Sequence, residues 1–280
     1  MKDAVLITGC SSGIGRATAA RLAEAGWPVW ATARRPESLA DLEGLGCRTL
    51  GLDVTDPASV AAAVEAVEAE HGAVGALVNN AGYSLSGALE TLEVERVRRQ
   101  FETNVFGLLD VTQRVLPGMR RAGRGRIVNV GSMGGRFTFP GGGAYHASKH
   151  ALEALTDALR FEVRGFGIDV VLIQPGLILT GFGKAAVGQM EFDDEGPYAG
   201  FDAAVAKATV QVYEEGPLAR LGGTPQDVAR VIERALVARR PRSRYKVTLS
   251  ARLLLGLRAL LPDGLWDAFM RTTFPEPGPR

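Results

Sequence analysis

Cysteine and histidine are scarce in this chain of 280 residues, which has two cysteines and three histidines. Cys10 and Cys47 have no second pair with which to build a disulfide framework, and no histidines cluster near them as zinc ligands would. We therefore expect no metal site, and we interpret both thiols as small buried side chains rather than redox groups.

Net charge is almost absent as well. The 32 lysines and arginines are matched by 31 aspartates and glutamates, which leaves a formal charge of +1 and argues against a nucleic-acid surface or a charged substrate field. The N-terminus passes directly into the apolar run Ala4–Ile7 and lacks the pattern of a secretory signal peptide. We expect a cytoplasmic protein.

Short aliphatic runs do occur, and they alternate with alanine-rich segments of helical composition. The predicted strands are Val5–Thr8, Val29–Ala33, Thr49–Leu52, Ala76–Asn79, Arg126–Val130 and Ile168–Gln174. Parallel strands need such crossovers, and nearly continuous apolar strands need cover on both faces. The pattern predicts an α/β protein with a doubly wound parallel sheet, the Rossmann fold, in a single domain.

The remainder of the chain changes character twice. Residues 181–223 are rich in Gly, Asp, Glu and Pro and too long for an ordinary connection, so we predict a substrate-covering lobe with a helix around Phe201–Tyr213. A helix over Pro225–Arg239, capped by Thr224, and a last strand near Tyr245–Leu249 should follow. We expect the domain to span residues 1–250 and an apolar helical extension to span 251–280.

That extension is apolar over a wide face of Ala251–Leu261 and continues through Trp266 and Phe274. It is far too short to span a membrane. Three uses stay open, namely packing over the pocket or core, a subunit contact, and a helix lying on a membrane surface. We favour the first.

A glycine-rich segment, Thr8–Arg16, lies between the first strand and an alanine-rich helix. Glycines let the backbone approach a phosphate closely, and a helix N-terminus presents free N–H groups and a positive dipole. We predict that the pyrophosphate of a nicotinamide dinucleotide binds here. The residues concerned are Gly9, Ser11, Ser12, Gly13, Ile14 and Gly15.

The second strand should select between the two nicotinamide dinucleotides. No carboxylate ends this strand to hold a ribose hydroxyl, and Arg34 and Arg35 follow it directly. Guanidinium groups bind phosphate bidentately, so we favour NADP(H) over NAD(H). The alternative is that both arginines only solvate a loop. Asp53, after the third strand, could bind the adenine amino group or could cap the next helix, as Thr55 or Asp56 also could.

Tyr145 and Lys149 are four residues apart at the start of a predicted helix and therefore share one face. A nearby ammonium lowers the pKa of a phenol from ~10, which would let Tyr145 exchange protons with a carbonyl or carbinol oxygen. Ser132, at the carboxyl edge of the sheet, could hold that oxygen, or it could be an ordinary turn serine. Asn104 could equally belong to a structural polar network.

Read together, these segments resemble the short-chain dehydrogenase/reductase family over roughly residues 4–180. The resemblance implies that Tyr145 is the catalytic acid/base, that Ser132 orients the substrate, that Lys149 lowers the pKa of Tyr145 and binds the nicotinamide ribose, and that Asn104 holds a relay water. It associates Arg34 with NADP preference. It also places along the cofactor Asn80, Ala81, Gly82, Pro175, Gly176, Ile178 and Thr180.

Within that family, the glycine loop and second strand look like the branch of 17β-hydroxysteroid and retinol dehydrogenases and their bacterial relatives. We expect an NADP(H)-dependent oxidoreductase that interconverts a carbonyl and an alcohol on a steroid-, retinoid- or long-chain-like substrate, as a homodimer or homotetramer. An NAD-linked alcohol dehydrogenase and a non-catalytic NADP(H)-binding regulator are the alternatives. Helix geometry turns His146 and His150 away from the Tyr145–Lys149 face, and we expect both to be peripheral.

Overall fold

The computed structural model describes residues 2–179, 182–188, 190, 195–211 and 221–278. Within them, the strands are β1 (Val5–Ile7), β2 (Val29–Ala33), β3 (Arg48–Gly51), β4 (Ala76–Asn79), β5 (Gly125–Val130), β6 (Ile168–Gln174) and β7 (Arg244–Lys246). They form one seven-stranded sheet in the order β3-β2-β1-β4-β5-β6-β7, and every neighbouring pair is parallel. The predicted doubly wound parallel sheet is confirmed.

Helices alternate with these strands. They are α1 (Gly13–Glu24), α2 (Ala40–Gly44), α3 (Pro57–His71), α4 (Val94–Phe101), α5 (Leu108–Ala122), α6 (Gly143–Glu162), α7 (Phe182–Val187), α8 (Ala199–Val210), α9 (Pro225–Val237), α10 (Leu249–Leu260) and α11 (Asp263–Arg271). A π-helical segment, Glu102–Gly107, joins α4 to α5 without a break. This wider π turn is a local feature that sequence periodicity does not reveal.

Most predicted boundaries agree with the structure to within two residues, but the last strand was placed too late. It covers Arg244–Lys246 rather than 245–249. The reason is a helix cap, because the Thr248 hydroxyl accepts a hydrogen bond from the Ala251 N–H at 3.1 Å and starts α10 at Leu249. Thr224 caps α9 as predicted, in a reciprocal capping box with Asp227.

The core lies on both faces of the sheet. Val5 and Ile7 pack into one buried cluster with Leu22 of α1 and Ile232 of α9, whereas Leu6 packs into another. Alternate residues of β1 therefore face opposite layers of helices, as a sheet covered on both sides requires.

Both cysteine thiols are buried, as the sequence analysis expected. Burial raises the pKa of Cys10 to about 12 and that of Cys47 to about 11. Neither thiol forms the reactive thiolate near neutral pH.

The C-terminal extension packs into a third apolar cluster. Leu254 and Leu255 of α10 and Trp266 and Met270 of α11 pack against Met133, Phe137 and Leu177. The Trp266 and Phe137 rings lie 5.3 Å apart. The extension thus covers the loop that follows β5, the use we favoured. Within the described residues, no helix is long and apolar enough to cross a membrane.

Candidate active site

A cavity of about 870 Å³ opens at the carboxyl edge of the sheet. Its size is in the range of pockets that hold small-molecule ligands and cofactors. Most of the residues singled out from the sequence line it, namely Gly9, Ser11, Ser12, Gly13, Ile14, Arg34, Asp53, Asn80, Ala81, Gly82, Ser132, Tyr145, Lys149, Pro175, Gly176 and Ile178. Gly15, Arg35 and Asn104 are not in the lining. Thr180 lies outside the described residues.

The glycine loop has the geometry of a phosphate cradle. Gly9 and Gly13 have φ angles of +74° and +56°, the left-handed region that favours glycine. A Cβ on Gly15 would come within 3.0 Å of the Gly9 carbonyl oxygen and the Asn80 amide nitrogen. Ser12 is the N-cap of α1, yet its side chain accepts no capping hydrogen bond. The first-turn N–H groups of α1 are therefore not capped by it, and this backbone fits the pyrophosphate of a dinucleotide.

Asn80 holds that loop in place. Its Nδ2 donates to the carbonyl oxygens of Thr8 at 2.9 Å and Gly9 at 3.0 Å. In return, the Thr8 hydroxyl accepts from the backbone N–H groups of Asn80 and Ala81, each at 3.0 Å. The ends of β1 and β4 are thus joined directly below the cradle.

The other end of the cavity is lined by Arg34 and Asp53. Asp53 Oδ1 accepts hydrogen bonds from the Thr55 N–H at 2.9 Å and the Thr55 hydroxyl at 2.8 Å. Asp53 does not cap α3, because that cap is Asp56, which accepts from the Ala58 N–H at 2.9 Å. The carboxylate of Asp53 is therefore held at the cavity wall.

Tyr145 and Ser132 meet across the cavity. Ser132 follows β5, accepts a hydrogen bond from the Gly134 N–H at 3.0 Å, and hydrogen-bonds the phenol of Tyr145. Burial raises the pKa of Tyr145 to about 12, and the bond to Ser132 opposes that rise. From the sequence we expected a lowered pKa, but the effect of burial is larger than that of the bond to Ser132.

Lys149 lies near the ring of Tyr145. Its side chain is buried, its Nζ donates to the Val130 carbonyl oxygen at 3.0 Å, and Nζ lies 5.8 Å from the centre of the Tyr145 ring. Burial lowers the pKa of this ammonium to about 8. Because an ammonium carries three protons and one is committed to Val130, two remain for other partners.

Asn104 is buried in the π-helical segment, and its amide is engaged on three sides. Nδ2 donates to the Tyr83 carbonyl oxygen at 2.9 Å and the Ser148 hydroxyl at 3.1 Å, while Oδ1 accepts from the Tyr83 N–H at 3.0 Å. Ser148 donates in turn to the Tyr145 carbonyl oxygen at 2.7 Å. Asn104 therefore ties the segment after β4 to α6. Any water that it holds must use its remaining acceptor capacity.

His146 is part of the site's support, which the sequence analysis did not anticipate. Its ring is buried, Nδ1 lies 2.9 Å from the Gly134 carbonyl oxygen, and the Phe139 ring is 5.7 Å away. Burial lowers the pKa of this imidazole to about 4. The neighbouring glycines were the available signal, because a Cβ on Gly134 or Gly142 would collide with the ring.

Comparison with known proteins agrees with this geometry. Residues 3–191 match the family model described as short chain dehydrogenase. The chain belongs to the short-chain dehydrogenase/reductase family. A solved short-chain dehydrogenase from Streptomyces avermitilis superposes with a TM-score of 0.80 at 36% identity, covering 98% of this chain and 99% of that one. The resemblance to the family is thus confirmed in both sequence and fold.

Curated relatives include three oxidoreductases. A 3-ketodihydrosphingosine reductase of Bacteroides thetaiotaomicron is 37% identical over 95% of this chain and 96% of its own length. An NADPH-dependent 3-dehydrocapnine reductase of Ornithobacterium rhinotracheale is 34% identical over 94% of both chains. Human 17-beta-hydroxysteroid dehydrogenase type 1 is 37% identical over 94% of this chain and 83% of its own. This short-chain dehydrogenase/reductase therefore resembles the hydroxysteroid dehydrogenase branch, as its motifs indicated.

Proposed function

We propose that the chain is an NADP(H)-dependent oxidoreductase that interconverts a carbonyl and a primary or secondary alcohol on an apolar substrate. The observation that carries the proposal is the hydrogen bond between Tyr145 and Ser132 at the wall of the cavity that the glycine loop also lines. The proposed acid/base group Tyr145, the proposed substrate anchor Ser132 and the glycine loop thus line the same cavity.

A bound nicotinamide supplies or accepts the hydride. The protein's own part is the proton, and Tyr145 is placed to deliver it. With a pKa raised to about 12, its phenol is protonated at neutral pH and is an acid rather than a base. As a carbonyl oxygen gains negative charge, Tyr145 donates its proton while the Ser132 hydroxyl donates a second hydrogen bond. This protonation state favours carbonyl reduction at neutral pH.

Lys149 and Asn104 would act on the same proton. The buried ammonium of Lys149 stabilises negative charge that develops near Tyr145, and its uncommitted protons would bind the nicotinamide ribose. Asn104 fixes α6 relative to Tyr83 and would hold a relay water. We assign contacts along the cofactor to the residues that the sequence analysis named, including Thr180, with the glycine loop at the pyrophosphate.

NADP(H) rather than NAD(H) is favoured by the end of β2. Arg34 lines the cavity. The residues between the end of β2 and Pro36 include no carboxylate, which is the group that would bind the ribose 2′-hydroxyl of NAD(H). One relative is named as NADPH-dependent. Arg35 is exposed and outside the lining, so we assign the larger effect to Arg34.

The apolar character of the proposed substrate rests on the relatives, and the loop after Ser132 adds apolar packing next to the site, outside the cavity lining. Phe137 and Phe139 extend from it into the cluster formed with α10 and α11, close to the Tyr145 helix. The relatives named above act on a ketodihydrosphingosine and a hydroxysteroid, both largely hydrocarbon. We propose steroid-, retinoid- or long-chain-like ketones and aldehydes, handled by a cytoplasmic homodimer or homotetramer.

The test is a panel of ketones and aldehydes graded by chain length and ring size, assayed with NADPH and NADH in parallel. Tyr145→Phe should abolish turnover and leave NADPH binding intact. Tyr245→Phe, a matched change on β7, should retain wild-type turnover. If wild-type protein binds NADPH but reduces nothing in the panel, a non-catalytic NADP(H)-binding regulator becomes the better account. A preference for NADH would instead favour the NAD-linked dehydrogenase.

A further inference from the structure

Arg99 lines the cavity but belongs to none of the sequence motifs described above. It belongs to the last turn of α4 and lines the cavity together with Glu102 and Thr103. The segment that follows packs onto the end of β3, because Gly107 approaches Val54 so closely that a Cβ there would meet its backbone oxygen. Arg99 and Asp53 thus line one cavity, and the segment that follows Arg99 contacts Val54, the residue after Asp53.

The usual explanation for an arginine at a helix end does not apply to Arg99. Basic residues in a last turn commonly interact with the helix dipole and the free carbonyl groups. Here α4 runs on through the π-helical segment into α5, so the chain has no free helix terminus at Phe101. The neighbouring Arg98 has an ordinary surface role, because it pairs with Glu95 at 3.3 Å and is not in the cavity lining.

Two unpaired guanidiniums face the same opening. Within the part of the chain that the structure describes, the side chains of Arg34 and Arg99 make no hydrogen bond or ion pair. Arg34 follows β2 and Arg99 belongs to α4, and the charges of both affect the pKa of the Tyr83 phenol. Burial raises the pKa of Tyr83, and the positive charges of Arg99, Arg96 and Arg34 oppose that rise. Both guanidiniums thus line one cavity and lie within electrostatic range of the Tyr83 phenol.

We propose that Arg99 is a second phosphate-binding arginine, which closes over the adenosine half of the cofactor from α4 and binds the 2′-phosphate together with Arg34. This inference rests on the proposed NADP(H)-dependent function. A dianionic phosphate between two guanidiniums removes their mutual repulsion and accepts charge-assisted hydrogen bonds from both. The cofactor preference would then be set by two walls of the cavity, not by the β2 end alone.

Fragment binding tests the proposal without any turnover. Adenosine 2′,5′-bisphosphate and adenosine 5′-monophosphate would be titrated by calorimetry into the wild type, Arg99→Ala, Arg34→Ala and the matched control Arg98→Ala. We expect Arg99→Ala to weaken the bisphosphate by about tenfold and the monophosphate by less than about threefold. Arg98→Ala should bind both fragments as the wild type does. The loss in Arg99→Ala should shrink as salt is raised.

Two results would overturn the assignment of Arg99. One is an equal loss for both fragments in Arg99→Ala, since the 2′-phosphate would then not be its target. The other is a bisphosphate affinity in Arg99→Ala that matches Arg98→Ala. If Arg34→Ala alone weakens the bisphosphate, the proposed function survives and only the role of Arg99 is lost. If the wild type binds neither the bisphosphate nor NADPH, the proposed function fails as well. Thermal melting of each variant shows that the fold is retained.

Discussion

Lowering the pH from 7 to 5 should destabilise this protein through His146. The ring is only 6% exposed, and burial lowers its pKa from 6.5 to about 4. In the unfolded chain the imidazole takes up a proton near pH 6.5, whereas in the fold it stays neutral down to about pH 4. The unfolded state therefore binds more protons in this window, so the free energy of unfolding must fall as the pH falls.

The size of the effect follows from the pKa difference between 6.5 and about 4. This difference corresponds to about 3 kcal/mol once the pH is below both values, and to about 2 kcal/mol at pH 5. The functional consequence is local. The bond from His146 to the Gly134 carbonyl group favours the protonated ring, so the cost of protonation comes from burying the charge beside the turn that carries Ser132.

The assay is urea unfolding followed by circular dichroism at pH 7, 6 and 5. His146→Asn is the informative variant, because its amide can replace the bond from Nδ1 to Gly134 and does not titrate. We expect the wild type to lose about 2 kcal/mol more than His146→Asn between pH 7 and pH 5. His150→Gln, at an exposed position on the same helix, should keep the wild-type dependence. Equal losses in the wild type and His146→Asn would refute the reasoning.

Three other perturbations have expected outcomes. The kcat of carbonyl reduction should fall above pH 8, because the pKa of Lys149 is about 8 and its ammonium is lost there; a profile flat to pH 9.5 would contradict this. Gly15→Ala should lower the free energy of unfolding by about 1–3 kcal/mol through overpacking, and it should weaken NADPH binding. Gly44→Ala, where a Cβ would meet open space, should change neither quantity in thermal-shift and binding assays. Trp266→Ala should lower the free energy of unfolding in urea by about 3–5 kcal/mol. Phe161→Ala, at a site 86% exposed, should leave that free energy almost unchanged. Similar losses for the two variants would exclude tight packing of the extension.

The parts of the fold that follow from local pattern were predictable from the sequence. Strands β2, β4 and β6 have the predicted bounds, because each is a run of aliphatic residues buried on both faces of the sheet. The cap at Thr224 followed from one residue type at a helix start. The glycine loop was recognisable since its conformation depends on glycine itself.

Features set by contacts distant in sequence were not predictable in the same way. The burial of His146 depends on Gly134 and Phe139, and the docking of Trp266 depends on Phe137, more than a hundred residues earlier. Arg99 belongs to no motif, and only the structure shows that it lines the cavity. Periodicity reports which face of an element is apolar, but not which other element will cover it.

The clearest difference concerns Tyr145, whose role is proposed and whose pKa is raised where the sequence led us to expect a lowered value. Spacing along a helix shows that an ammonium is near a phenol, and from this alone a lowered pKa follows. The structure adds the competing effect of burial, and it shows that Lys149 Nζ donates a hydrogen bond to the Val130 carbonyl oxygen. With a pKa of about 12, ionising the phenol at pH 7 costs about 7 kcal/mol. Donating its proton to an alkoxide formed from the carbonyl leaves the same buried phenolate, but the alkoxide is the stronger base and offsets that cost. The raised pKa of Tyr145 thus supports the proposal that the site reduces a carbonyl near neutral pH.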